Sequence, residues 1–258
     1  MIISVINHTE TLSDEEVQRA LRAINRQIRE DFEPYWSLGA ELRLEGRSQK
    51  QKKLNKKTDL ADMRGSAVLY LWDKVKAKDA LGYHERNHRG IPFGVVYTEL
   101  SKELEESWTA TLSHEALELI GDPEVNLLVM GPHPTEPGRD VFHWYEMCDA
   151  VQTETYEIDG IEVSNFVLPL YFTSSDERGG RNDFLGRRHG GKTLRSFGVN
   201  PGGYVGFYDP KKRDDVTFEG DDLAARRMKI KAQANGTRRS IRYRNKIDKA
   251  ARSGRKKR

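Results

Sequence analysis

The sequence predicts an α+β fold in which a mixed sheet is built around one functional helix and followed by a basic C-terminal tail. Three observations predict it. Short β-branched apolar runs alternate with a stretch whose apolar residues recur at helical spacing. A further helical stretch carries His114-Glu115-Ala-Leu-Glu118, with ligand-type side chains four residues apart. Charge is also segregated: residues 223–258 hold 15 Lys/Arg against one acid, Asp248, so the overall +3 hides a tail of +14 and a body of −11. The folded domain is accordingly expected over residues 1–210 and the tail over 211–258.

At 258 residues and 36% hydrophobic content the chain is long and apolar enough for a sizeable core, while 32% charge gives it a polar periphery. No run approaches the roughly 18 apolar residues that a membrane helix needs, which excludes a membrane-spanning role. Met1-Ile-Ile-Ser-Val-Ile-Asn-His lacks the basic region and long apolar core of a secretory signal, so a cytoplasmic or intracellular setting is expected. The single cysteine, Cys148, excludes an intrachain disulfide and a cysteine-based zinc site.

Taken in order, Ile2–Ile6 reads as a buried strand. Ser13 and Glu16 form a capping-box signature, and Val17, Ala20, Leu21, Ile24 and Ile28 extend a helix to about Phe32, where Pro34 closes it. Trp36–Leu44 is expected as a second strand. Arg47–Thr58, with six Lys/Arg and no acid, reads as a solvated loop or a phosphate-binding surface. Ala67–Trp72 is a buried strand, and Phe93–Thr98, opened by Pro92, suits an edge strand. His84 and His88 have ligand-like spacing, but Gly82 and Gly90 argue against a helix there. The functional helix spans roughly Leu104–Ile120 and stops at Gly121 and Pro123. Beyond it, Val125–Met130 is apolar, Tyr156–Val163 is a hairpin with Asp159-Gly160 in a type I′ turn, 174–203 is a long loop, and Gly202–Tyr208 is a last strand ended by Asp209-Pro210. Residues from Ala224 are able to start a helix that Asn235-Gly236 breaks; the rest has too little apolar surface to order itself. Such a tail binds polyanions through counterion release, so nucleic acid or an acidic protein surface is the expected partner. With Tyr243 as its one aromatic, recognition by base stacking is not expected.

An α-helix turns about 100° per residue, so His114 and Glu118 project from one face, one turn apart. An imidazole and a carboxylate placed that way are able to grip one divalent metal, and zinc accepts both. Glu115 occupies the place that the metalloprotease pattern H-E-x-x-H gives its general base, with Glu118 replacing the second histidine. Two ligands from a helix need a third. Glu146 is the first candidate; Asp149 is the second, as ligand or as support; Glu124 is the third; Asp122 is the fourth, unless it caps the turn. His143, Tyr145, Tyr171 and Tyr204 are candidates to face a developing oxyanion or the substrate.

The element order, with an edge strand before the H-E helix, resembles the N-terminal half of zincin metallopeptidases. Further motifs, Leu81-Gly-Tyr-His84, Ser113-His-Glu-x-x-Glu-x-x-x-Asp-Pro123, Glu146-x-Cys-Asp149, Val163-Ser-Asn-Phe-Val-x-Pro169 and Pro201-Gly-Gly-Tyr204, resemble a family of uncharacterised bacterial and phage proteins described as H-E-x-x-E metallopeptidases. The resemblance covers about Ala80 to Tyr208 and leaves the tail outside. It implies a zincin-like fold, one zinc ion held by His114, Glu118 and a downstream acid that resembles the gluzincin glutamate at Glu146, and Glu115 as general base toward a polypeptide substrate. The alternative is a zincin-like binding or structural protein, a nucleoprotein or virion component working through its tail.

Overall fold

The structure is a computed structural model that describes residues 1–45, 65–74, 91–173 and 180–231. The basic stretch from Arg47 to Thr58, His84, His88 and the tail beyond Lys231 lie outside the described residues.

The first half runs β1 (Ile2–Asn7), α1 (Asp14–Gln27), a π-helical turn (Ile28–Phe32), α2 (Glu33–Trp36), β2 (Glu41–Leu44), β3 (Ala67–Trp72) and β4 (Phe93–Tyr97). The strands form one sheet in the order β2-β1-β3-β4, parallel throughout. Parallel neighbours need a long crossover, and α1 supplies the one between β1 and β2. Its start is fixed as the sequence anticipates: Ser13 Oγ accepts the Glu16 N–H and the Glu16 carboxylate accepts the Ser13 N–H. Both faces of the sheet are covered, which is why β3 and β4 are buried almost without alternation. Ile3, Val5, Leu69 and Leu71 pack with Leu21 and Ile24 of α1 on one face. Val68, Tyr70, Val95 and Tyr97 form a separate cluster on the other. Among the described strands β4 lies at one edge of the sheet, in keeping with Pro92 at its start.

Pro34 does not close the first helix. The ladder widens into the π turn, with the Glu33 N–H reaching Ile28 O, and Pro34 then sits in the first turn of α2, where a missing N–H costs nothing. The reversal comes at Ser37, in the left-handed region at φ 53°. Trp36 is therefore helical: its Nε1–H donates to Val167 O at 3.0 Å and its ring packs against Phe32 and Tyr145. The strand expected from Trp36 shrinks to Glu41–Leu44.

Next come α3 (Thr98–Glu103) and α4 (Trp108–Gly121). The expected single helix from Leu104 is interrupted, because Glu105 turns left-handed at φ 58° and Ser107 caps a new helix through the Thr109 N–H. Then follow β5 (Leu128–Pro132), β6 (Asp140–Trp144), β7 (Thr155–Ile158), β8 (Ile161–Ser164), β9 (Tyr204–Asp209), β10 (Asp214–Glu219) and α5 (Asp222–Lys231). The order β10-β9-β6-β5 is antiparallel, and β7-β8 is a separate hairpin turned at Asp159 (φ 52°) and Gly160 (φ 72°). The architecture is thus α+β, but a parallel and an antiparallel sheet replace the single mixed sheet. The helical crossover through α1 lets β1 and β2 pair in parallel, and the hairpin turns of β5–β6 and β9–β10 favour the opposite.

The boundary expected at residue 210 falls inside the β9–β10 hairpin. Asp209 is not a terminator: its Oδ1 accepts the N–H groups of Lys211 and Lys212 and its carboxylate pairs with Arg139, which tightens the turn. α5 then docks back, with Arg227 donating to Leu104 O at 3.1 Å and pairing with Glu106. Among the described residues no helix is long and apolar enough to cross a membrane.

Candidate metal centre

α4 is the most enclosed helix of the fold, and polar contacts fix its rotation. Ser113 Oγ donates to Gln27 Oε1 of α1 at 2.6 Å and accepts the Ser164 N–H of β8 at 3.1 Å. Thr109 Oγ1 donates to Glu162 O at 2.7 Å. Leu112, Ala116, Leu117 and Leu119 enter the main core. Held in this way, α4 turns His114, Glu115 and Glu118 toward a cleft bounded by β4, α3 and the β9–β10 hairpin.

His114 Nε2 lies 3.3 Å from Glu118 Oε1 and 3.3 Å from Asp149 Oδ1. All three side chains are buried, and their ligand atoms fall within 4.8 Å of one another. Glu118 Oε1 also accepts the Cys148 N–H at 3.3 Å, so the backbone beside Asp149 orients the helix carboxylate. Asp149 opens a short 3-10 turn (Asp149–Val151) that is positioned from far along the chain. The Asn200 N–H donates to Ala150 O at 3.0 Å, and Gln152 Nε2 donates to Gly202 O at 2.6 Å. A Cβ on Gly203 would stand 2.2 Å from Ala150 O, so only glycine allows β9 to approach the turn this closely. The Pro201-Gly-Gly-Tyr204 motif is thereby a clamp on the Asp149 turn.

Glu115 is half-buried and reaches over β4. A Cβ on Gly94 would lie 2.8 Å from a Leu69 methyl, too close without a shift, and at an ordinary 3.5 Å from Glu115 Oε2, which places the carboxylate over this residue at the sheet edge. Neither Gly94 nor the β9–β10 wall stood out in the sequence, because strand pairing and not local pattern brings them to the cleft.

The cleft encloses about 1160 Å³ of space, part of it open to solvent. Glu106, Glu115, Glu118, Glu146, Asp149 and Asp215 line it, and none of the described lining residues is Lys or Arg. Glu106 pairs with Arg227 behind it. An imidazole and two buried carboxylates whose ligand atoms fall this close together suit a bound divalent cation.

The other candidates are distributed as follows. Glu146 is buried and lines the same cleft, outside the 4.8 Å group. Asp122 caps the end of α4, its two oxygens accepting the Asn126 and Leu127 N–H groups at 3.1 Å each. Glu124 is exposed and also outside the group. Tyr204 lines the cleft. Tyr171 donates its hydroxyl to Gly198 O, and Tyr145 packs against Trp36 and Phe172, so both are turned to other work. Burial, with Glu118 and Asp149 nearby, pushes the Cys148 thiol well above its usual range and makes it a poor nucleophile. A polar hub went unforeseen: Asn165 donates to Glu154 and Asp183 and accepts the Phe166 and Leu185 N–H groups, tying the long loop to β8.

His143 points into the antiparallel sheet's own packing, its Nε2 within 2.9 Å of Pro132 O and its ring against Phe197 and Phe207. Burial lowers its pKa from the ordinary 6.5, partly opposed by the Pro132 carbonyl and aided by His133. Above that value the ring is neutral in the folded and unfolded chain alike. As pH falls through it, the unfolded chain takes the proton first, so stability is expected to drop between about pH 7 and pH 5. Urea unfolding of wild type and His143→Gln at both pH values checks this; an identical pH dependence in the variant would contradict it.

No family model, no curated protein and no solved structure matches the chain.

Proposed function

We propose that the protein is a metal-dependent peptidase whose centre is held by His114, Glu118 and Asp149. The observation that carries this reading is the buried His/Glu/Asp group, with both carboxylates 3.3 Å from one imidazole nitrogen. Nitrogen and carboxylate oxygen donors suit zinc, and three protein ligands leave a fourth position for water or substrate. One neutral and two anionic ligands also balance the charge of a divalent ion. The H-E-x-x-E helix beside an edge strand supports a zincin-like assignment by resemblance, and Glu146, which lines the same cleft, is the candidate to orient a ligand or water.

A bound divalent ion supplies Lewis acidity, lowering the pKa of water and polarising a carbonyl. The protein's own groups do the rest. Glu115, placed over Gly94, accepts a proton from the attacking water and returns it to the leaving nitrogen. β4, at the sheet edge among the described strands, is the candidate to align an extended polypeptide across Glu115. Tyr204 is the candidate donor toward the developing oxyanion.

Chelation tests the reading without a substrate. Removing metal is expected to lower Tm by roughly 5–10 °C relative to protein with zinc at about a hundredfold its Kd. Zinc added back restores it; an unchanged Tm would sink the reading.

A second reading rests on the sequence of residues 223–258, with 15 Lys/Arg and one acid. We infer that this tail binds nucleic acid as a polyanion, independently of the centre. Binding to double-stranded DNA is expected to weaken steeply with salt and to vanish when 232–258 are deleted; binding that survives the deletion would contradict it.

A further inference from the structure

Resting on the peptidase reading, we propose that the cleft selects its substrate by a bulky apolar side chain, Leu- or Phe-like, of an extended polypeptide, and that the apolar face of β5 and β6 receives the neighbouring residues. The two parts of the cleft differ in chemistry. One is the group of carboxylates around His114; the other is an apolar lining of Val95, Tyr97, Leu100, Leu104 and Val216, with Ala110 one turn before His114 on the same face of α4 and with Glu106 and Asp215 beside it. An apolar substrate side chain buries surface at each of these residues, whereas an acidic one meets the like charge of Glu106, Glu115 and Asp215 in the same lining.

A second observation extends the apolar path outside the cleft. Register pairs Leu128 with Trp144 and Met130 with Phe142, and Phe142 in turn with Tyr208. Side chains two apart on a strand share a face, so Leu128, Met130 and Phe142 stand on the same face as Trp144 and Gly206, which line the cleft. Met130 is 62% exposed, Leu128 42% and Phe142 38%. With Leu127 they make up four of the eight exposed large apolar side chains among the described residues. Such clustering on one strand pair, continuous with a cleft, marks a contact surface and not scattered exposure. The partner that fits both parts is one extended segment rich in apolar side chains.

The probes are peptide hydroxamates that differ in one side chain, Leu-, Phe-, Gly- or Asp-like, titrated calorimetrically into zinc-loaded protein. Leu- and Phe-like probes are expected to bind roughly 10–100-fold more tightly than the Asp-like one. None is expected to bind His114→Ala. Ala110→Leu, which fills the cleft wall, is expected to lose the preference for the Phe-like probe. Phe142→Ser, at an exposed position that leaves folding intact, is expected to weaken a longer apolar hydroxamate by several-fold. Equal binding of all four side chains by wild type, lost in His114→Ala, would overturn the apolar selection and leave the metal centre standing. No binding of any probe to zinc-loaded wild type would overturn both.

Discussion

Glu115→Gln is expected to lower the rate of peptide cleavage by about 10²–10⁴-fold while leaving bound metal per chain unchanged. The amide keeps the shape of the carboxylate but is unable to accept the proton of the attacking water. The metal is spared because Glu115 stands outside the group formed by His114, Glu118 and Asp149 and reaches over β4 instead. Cleavage of a casein digest by wild type and variant, with metal content measured on the same samples, separates the two roles. Retained cleavage would remove Glu115 from the chemistry, and lost metal would move it among the ligands.

The second large effect falls on stability. Leu117 is fully buried in the core that joins α4 to α1 and the parallel sheet. Leu117→Ala removes that contact and leaves a cavity, and is expected to cost about 2–5 kcal/mol by urea unfolding. Against a total of about 5–15 kcal/mol for a typical domain that is a large share. Because α4 also carries His114 and Glu118, the weakened helix is expected to hold metal less tightly. A loss below about 1 kcal/mol would mean that α4 is not packed as described.

Features written locally were legible in the sequence. The Ser13–Glu16 capping box, the strands at Ile2 and Ala67, the edge strand after Pro92 and the Asp159-Gly160 turn depend on neighbours a few residues away. The helix pair His114 and Glu118 is local too, since four residues make one turn. The placement of Asp149 is not. It depends on Asn200, Gly202 and Gly203, about fifty residues on, gripping the turn after it. The resemblance to the gluzincin glutamate put Glu146 first, whereas Asp149 is the acid that falls within the 4.8 Å group with His114 and Glu118. The end of the folded body was missed for a related reason: Asp209-Pro210 reads as a terminator until β10 is seen to pair back on β9. Pro34 misled because a π turn absorbs a proline that an unbroken α-helix rejects.

The measurement that bears most directly on the centre is bound metal per chain, by elemental analysis of protein purified without a metal-affinity tag. Wild type is compared with His114→Ala and Asp149→Asn. The account predicts close to one zinc per wild-type chain, lost in His114→Ala and sharply reduced in Asp149→Asn, with both variants still folded. No metal in wild type after zinc is supplied, or metal retained when His114 is gone, would contradict it.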